Sequence, residues 1–287
     1  MKSIVKPLSK DNISRELEQF DYEIVSIAYL GEDSSRKSPR SILNSYKILV
    51  MLGGEASIHI GRNIYYTRSG DCVLFCPGSL YHAEINGPDK CSFIAVNFNL
   101  VSPVQDRKFR NMLGLKDVAI IPGIISGEGM ENLYIVAESA VKEEDGHYYR
   151  VLMMLKRLVG AIAFSGQSKV AENRGENHAV SREQTVLKCH RFIINNPEIA
   201  VTVDMLCGEC NVSQSYLYKC FRSVLGLSTK EFITKTRLDM AARSLLQTDK
   251  TIVSISREYG YSNSYRFSNI FKKAYGMSPT AYRKANR

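Results

Sequence analysis

The sequence predicts an α+β protein with two domains: an N-terminal β-barrel or sandwich followed by a helical segment, and a C-terminal all-α domain. Three observations support this fold class. Short apolar strands separated by turns fill residues 22–100, apolar residues recur at helical spacing between residues 105 and 164, and residues 201–283 contain one helix-turn-helix pattern twice. The chain has 287 residues, 44% of them hydrophobic and 23% charged, which suits two globular domains.

The N-terminal half alternates short apolar segments with turn residues. Gly53-Gly54, Gly70-Asp71 and Pro77-Gly78 interrupt the apolar segments at short, regular intervals. Closely spaced strands of this kind are typical of a small sandwich or barrel. The predicted strands are residues 24–29, 48–52, 57–60, 64–67, 72–75 and 93–100.

The segment that follows the strands has helical periodicity. Residues 132–142 and 147–164 predict two helices, and the second has an apolar stripe that includes Val151, Leu155 and Leu158. Residues 165–182 are polar and predict a flexible linker. We therefore divide the chain into residues 1–164, a linker at 165–182, and a second domain at 183–287, which opens with a helix over residues 181–195.

The C-terminal domain contains a duplicated pattern. Each copy reads as helix, turn, helix, with a polar N-cap before the second helix and a glycine after it. Between the copies, Ser228 and Glu231 predict a capping box at the start of one long helix over residues 228–247. After the second copy, Ser278-Pro279 predicts a short final helix. Three equivalent pairs are 50 residues apart: Phe221 and Phe271, Gly226 and Gly276, and Ser228 and Ser278.

The second helix of each copy has polar side chains opposite its apolar face. Hydroxyl, amide and cationic groups in this arrangement suit base edges and phosphates. We expect Lys219 and Arg266 to read guanine, and Arg222, Lys272 and Lys273 to bind phosphates. The predicted DNA-binding residues are Ser213, Ser215, Tyr218, Lys219 and Arg222 in the first copy, and Asn263, Ser264, Tyr265, Arg266, Ser268, Asn269, Lys272 and Lys273 in the second.

Charge separates the two halves of the chain. Residues 185–287 contain 16 Lys and Arg against 7 Asp and Glu, whereas residues 1–184 contain 22 of each kind. The whole excess of +9 therefore lies in the C-terminal domain. A basic domain beside a neutral one indicates a polyanionic partner at one end of the protein.

Residues 185–285 resemble the DNA-binding domain of the AraC/XylS family of bacterial transcription regulators. Cys207 and Ser256 stand where the family usually has Ala, and Asn269 stands where some members have Arg. The resemblance implies a sequence-specific regulator that activates transcription through contact with RNA polymerase, with repression left open as the alternative. Because one linker helix holds the two helix-turn-helix units, we expect them to enter two successive major grooves of double-stranded DNA. The resemblance is carried by Glu258-Tyr259-Gly260-Tyr261-Ser262, Phe267-Ser268, Phe271-Lys272-Lys273, Gly276-Met277-Ser278-Pro279 and Tyr282-Arg283.

Residues 20–100 resemble the cupin-like sensor domain of the same family, through Gly53-Gly54-Glu55, Gly70-Asp71, Pro77-Gly78 and His82. The resemblance implies a barrel that holds a small-molecule effector such as a sugar, and helices that form a homodimer. By analogy, the candidate effector-binding residues are Tyr46, Tyr66 and His82. The alternative is that both tyrosines are ordinary strand residues and His82 a turn residue.

The sequence predicts neither a metal nor another cofactor. Metal-binding cupins place a His-x-His pair and a Glu on an early strand, and residues 45–52 contain no His. Cys207-x-x-Cys210 resembles half of a zinc or redox site, but a single pair lacks two ligands, which favours core packing. Cys72 and Cys76 are likewise expected in the core.

Other features bear on location and class. The N-terminus has no apolar run typical of a signal peptide, and the longest apolar segment, residues 151–164, contains Lys156 and Arg157. Seven cysteines without a repeating spacing suit a reducing, cytoplasmic location. No nucleophile elbow or phosphate loop is present, so we expect no enzyme activity.

Two alternatives remain open at this point. In one, a DNA-binding dimer has a ligand-blind barrel that only dimerises or binds a partner protein. In the other, a cupin enzyme carries a nucleic-acid-targeting tail, and the missing metal ligands argue against it.

Overall fold

The computed structural model describes residues 11–30, 38–61, 63–85, 91–115, 118–125, 127–165 and 182–285. By their contacts, the described residues form two compact units: those within Met1–Pro39 and Ser45–Gly175, and those within Arg40–Asn44 and Glu176–Arg287. Residues 166–181, most of the predicted linker, lie outside the described residues, so the linker stays a prediction.

The N-terminal half of the chain contains two antiparallel sheets. Their strand orders are β1-β8-β3-β6-β9 and β2-β7-β4-β5. Each sheet ends in two edge strands that do not pair with each other among the described residues, so the predicted barrel is a pair of open sheets. The elements are α1 (Asn12–Leu17), β1 (Tyr22–Leu30), β2 (Ser41–Ile42), β3 (Tyr46–Gly53), β4 (Glu55–Ile60), β5 (Asn63–Arg68), β6 (Cys72–Phe75), β7 (Leu80–Ile85), β8 (Ser92–Leu100), α2 (Pro103–Met112), β9 (Val118–Ile121), α3 (Glu128–Val141) and α4 (His147–Phe164).

All six strands predicted from the sequence are present, as β1, β3, β4, β5, β6 and β8. The strands β2, β7 and β9 were not predicted. Two of these three are very short, and β7 mixes apolar with polar residues. β9 is a strand because it pairs along β6, with Phe75 opposite Val118.

The helices α2 to α4 share a core with one face of the five-stranded sheet. Ile48 and Val50 of β3 belong to one buried cluster with Phe109, Leu155 and other apolar residues of these helices. The bounds of α4 match the prediction, whereas α3 begins four residues earlier than predicted. The apolar stripe of α4 is therefore at least partly a core surface.

The C-terminal half is helical. α8 begins with the predicted capping box: Ser228 accepts a hydrogen bond from the Glu231 amide, and the Glu231 carboxylate accepts one from the Ser228 amide. None of the helices in the described ranges is long and apolar enough to cross a bilayer. The helices are α5 (Arg182–Asn195), α6 (Val203–Cys210), α7 (Gln214–Leu225), α8 (Thr229–Gln247), α9 (Ile252–Glu258), α10 (Ser264–Tyr275) and α11 (Pro279–Ala285).

The long helix α8 packs against both helix-turn-helix copies. Near its start, the Phe232 ring lies 4.9 Å from the Phe221 ring of α7. Further along, Leu245 is buried in one cluster with Phe267 and Phe271 of α10. The spacing between α7 and α10 therefore depends on α8.

The turn of the second copy closes over a buried arginine. The Arg237 guanidinium of α8 donates a hydrogen bond to the Tyr259 carbonyl and lies 4.9 Å from the centre of the Tyr261 ring. Gly260 has a φ of 71°, a left-handed conformation. A Cβ at residue 260 would overlap Nη2 of Arg237. Both its conformation and its contact with Arg237 therefore require glycine at this position.

We expect Gly260→Ala to lower the free energy of unfolding by about 3 kcal/mol, since it combines backbone strain with overpacking against Arg237. Gly276→Ala is the matched control, because Gly276 also has a positive φ, 76°, but a Cβ added there would meet nothing within 4 Å. Gly276→Ala should lower the free energy of unfolding by only about 1 kcal/mol. Urea denaturation followed by circular dichroism measures both values. Equal losses of stability in Gly260→Ala and Gly276→Ala would contradict the overpacking, because they would show that Arg237 moves aside without a free-energy cost.

Candidate nucleic-acid interface

The helices α7 and α10 have the same division into a buried and an exposed face. Leu217, Cys220 and Phe221 of α7 are buried, as are Phe267 and Phe271 of α10. Both helices end at a left-handed glycine, Gly226 or Gly276 in the two copies. This agreement confirms the duplicated helix-turn-helix prediction.

The predicted DNA-binding residues lie on the exposed faces, with two exceptions. Ser264 and Ser268 are only half-buried, and the Ser268 hydroxyl donates a hydrogen bond to the Ser264 carbonyl at 2.9 Å. Tyr265 is 76% exposed on this face. The exposed candidates are Ser213, Ser215, Tyr218, Lys219, Arg222, Asn263, Tyr265, Arg266, Asn269, Lys272 and Lys273.

Two of the predicted contact residues are helix caps. The Ser213 hydroxyl accepts a hydrogen bond from the Tyr216 amide at 3.2 Å, and Oδ1 of Asn263 accepts one from the Arg266 amide at 3.0 Å. Each side chain thereby satisfies an amide that the first helical turn leaves unpaired. Their first role is to fix where α7 and α10 begin.

Arg222 is held against the end of its own helix. Its Nη1 donates to the Gly226 carbonyl at 2.9 Å, and its Nε donates to the Tyr218 hydroxyl at 3.2 Å. A guanidinium has five N–H donors, so others remain for a phosphate. The equivalent position in the second copy is Lys272, 50 residues later.

Sequence reasoning missed two polar positions on α7. Gln214 is exposed in the first turn of this helix, and its amide donates a hydrogen bond to Asp204. Tyr216 is the residue 50 positions before Arg266 and is half-buried. The 50-residue spacing between the two copies is the sequence signal that identifies Tyr216 as the equivalent of Arg266. Gln214 has no such signal beyond its place next to the cap.

The structure does not gather the three candidate effector-binding residues into one pocket. Tyr46 is fully buried on the face of β3 that packs against the helices, and its hydroxyl donates to Oδ1 of Asp106 at 2.6 Å. Its ring stacks on Phe98 with 5.2 Å between centres, and burial raises the pKa of Tyr46 above its usual range. Tyr46 is thus a core residue.

The other two candidates lie in the four-stranded sheet. Tyr66 of β5 is 77% exposed, and His82 of β7 is half-buried. His82 is a strand residue rather than a turn residue, His59 of β4 lies directly opposite it, and Glu84 is nearby. The pairing of β4 with β7, which the sequence does not reveal, brings these residues together.

The face between the two sheets has a polar pair that sequence reasoning missed. Nζ of Lys47 in β3 donates a hydrogen bond to the Tyr81 hydroxyl of β7 and lies 4.8 Å from the centre of that ring. The Tyr81 ring is also 4.8 Å from the ring of Phe75 in β6. A lysine within an otherwise apolar strand was the available signal.

The cysteines are free thiols. Cys72 and Cys76 are buried, which confirms their core assignment. Cys207 and Cys210 are half-buried, and the Sγ atom of Cys210 lies 3.4 Å from that of Cys189. Burial raises the pKa of Cys189 above its usual range.

The chain is similar to several known proteins. A family model described as a helix-turn-helix domain matches residues 206–285. The lactose operon transcription activator of Staphylococcus xylosus is 37% identical over 244 residues, 82% of this chain and 82% of that protein. The raffinose operon transcriptional regulatory protein of Pediococcus pentosaceus is 35% identical over 94 residues, 33% of this chain and 34% of that protein. The melibiose operon regulatory protein of Escherichia coli K12 is 31% identical over 140 residues, 47% of this chain and 45% of that protein.

We expect Asn263→Ala to lower the free energy of unfolding by about 1 kcal/mol, because the first turn of α10 loses its cap. Asn263→Ser should restore most of this loss, since serine caps about as well as asparagine. Ser262→Ala, at the exposed neighbouring position, serves as the control. Urea denaturation measures the free energy of unfolding of all three variants. An Asn263→Ala variant as stable as the wild type would contradict the capping role.

Proposed function

Because the chain belongs to the AraC/XylS family of DNA-binding transcription regulators, we propose that it activates transcription from operators that α7 and α10 read. The observation that carries the proposal is the pair of recognition helices, each with an exposed polar face and each packed on α8. The excess of positive charge in the same half of the chain supports it, because DNA backbone binding depends on Lys and Arg.

The length of α8 indicates how the operator is bound. A helix of 19 residues is about 28 Å long. Successive major grooves on one side of straight B-DNA are about 34 Å apart. With α7 and α10 packed along one helix of this length, we propose that they enter successive major grooves and that the DNA bends towards the protein.

The exposed side chains have distinct proposed roles. Lys219 and Arg266 read guanine edges, the commonest specific contact in the major groove. Ser215, Tyr218 and Asn269 contact other base edges or thymine methyl groups. Arg222, Lys272 and Lys273 bind phosphates, and Ser213 and Asn263 position the helix N-termini towards the backbone.

We also propose the remaining partners from the family. A homodimer forms through the surface of α3 and α4 that stays outside the core, where Ile135, Tyr149 and Met153 are 60%, 65% and 48% exposed. RNA polymerase is the partner that activation requires. The cytoplasm is the proposed location, since the DNA and polymerase are there.

The proposed effector is a small sugar bound between the two sheets. The three relatives above are named for lactose, raffinose and melibiose operons, which supports a sugar. Tyr81 offers an aromatic ring, and Lys47 offers an amine beside its hydroxyl. Sites for small ligands combine apolar and aromatic surface with a few placed polar groups of this kind.

We expect Arg266→Ala to weaken binding to an operator, selected from random duplex DNA, by about 1–3 kcal/mol while folding is kept. The loss follows from removing an exposed base-reading side chain. Arg107→Ala is the control, because Arg107 is an exposed arginine of α2, outside the proposed dimer surface, and its loss removes the same charge. Fluorescence anisotropy measures both affinities. Equal affinities for Arg266→Ala and Arg107→Ala would refute the assigned role.

The sugar proposal predicts that lactose, melibiose or raffinose raises the melting temperature. A ligand at 100 times its Kd stabilises the folded state by about 2.7 kcal/mol. Tyr81→Phe should reduce the shift, since it removes the hydroxyl next to Lys47. Tyr66→Phe should not, since Tyr66 is 77% exposed on β5. No shift with any of the three sugars would favour the alternative of a ligand-blind dimer.

A further inference from the structure

The pairing of β4 with β7 brings two imidazoles and a carboxylate together on one sheet face. His59 is directly opposite His82, and Glu84 is opposite Ser57. Directly paired residues, and residues two apart on one strand, lie on the same face of a sheet. Tyr66, which pairs with Ser57 from β5, is on this face too and is 77% exposed. The face is therefore not the one that carries Tyr81.

The donor atoms of these three residues are close together. Oε2 of Glu84 is 3.9 Å from Nε2 of His59, and Oε1 of Glu84 is 3.7 Å from Nε2 of His82. One donor atom from each residue can be chosen so that all three lie within 4.8 Å of one another. Two ligands of a tetrahedral zinc ion with bonds near 2.1 Å are about 3.4 Å apart. Small side-chain rotations would bring both histidines to that distance from the carboxylate.

The two rings require the larger adjustment. They are stacked with 4.2 Å between centres and 20° between planes. Imidazoles that share one ion point their nitrogens at it, so the rings must tilt apart. The second torsion of histidine is broad, and rotation about it is therefore inexpensive.

The surroundings of the cluster suit a bound ion. The side chains of His59, His82 and Glu84 are 19%, 13% and 29% exposed, so the site is shielded yet reachable from solvent. Nε2 of His59 is inaccessible and forms no hydrogen bond with the described residues. A buried nitrogen in that state is costly, and a metal ion would satisfy its lone pair.

We propose that His59, His82 and Glu84 bind one divalent transition-metal ion of the zinc type, with water completing its coordination. Imidazole ligands favour zinc, copper, nickel and iron over magnesium and calcium, which prefer all-oxygen sites. The expectation of a metal-free domain rested on the missing His-x-His pair of the early strand. It does not apply to ligands that two other strands supply.

Isothermal titration of the untagged, full-length protein with Zn²⁺ tests the proposal. We expect one ion per chain at this site and a higher melting temperature, since the ion links β4 to β7. His59→Ala and the near-isosteric Glu84→Gln should each weaken binding by at least about tenfold. His147→Ala, which removes a histidine at the start of α4, should leave the zinc affinity unchanged.

Cobalt substitution separates this site from the thiols, in particular the Cys189 and Cys210 pair. Cobalt bound by histidine and carboxylate absorbs weakly in the visible range, whereas a cobalt–thiolate bond adds an intense near-ultraviolet band. We expect no such band. Equal zinc affinity in wild type, His59→Ala and Glu84→Gln overturns the proposal, as does a thiolate band lost only in Cys189→Ser. Either result would show that the three residues form a charge cluster without a metal, and neither bears on DNA binding.

Discussion

The arrangement of α7 and α10 depends on α8, which is buried on more than one side. Its buried residues include Phe232 and Ile233, which are consecutive and so point about 100° apart, and later Leu238 and Leu245. A helix with one apolar stripe packs against one neighbour, whereas α8 packs against helices of both copies. Moving one copy relative to the other would expose apolar surface to water, and each Å² exposed would cost about 25 cal/mol of free energy. The spacing of α7 and α10 is therefore costly to change.

A buried charge adds to this constraint. Arg237 lies on α8 among apolar side chains, and desolvation lowers the pKa of its guanidinium. Its partners are the Tyr259 carbonyl and the Tyr261 ring, on either side of Gly260. Because a buried cation without these partners is very costly, the turn of the second copy has to close in one conformation. Gly260, Arg237 and α8 therefore depend on one another for their packing.

The helical half was predictable from the sequence because its signals are local. The Ser228 cap, the Gly226 turn and the spacing of Phe267 and Phe271 each act within a few residues, and duplication repeats them. The β half depends on pairings between distant residues. His59 and His82 meet only through the register of β4 on β7. The position of Tyr46 was missed because both faces of β3 are covered, so its sequence does not alternate between polar and apolar residues.

The two candidate ligand sites in the β half share the strand β7. Tyr81 points towards β3 and β6, and its neighbour His82 points to the opposite face, as consecutive strand residues do. A ligand on either face would contact the same six-residue strand. If each ligand binds the ordered strand better than the frayed one, the first to bind lowers the ordering cost for the second. Linkage then requires that the sugar strengthens metal binding by the same factor as the metal strengthens sugar binding. The zinc affinity of wild-type protein at saturating sugar, compared with its affinity without sugar, gives that factor directly.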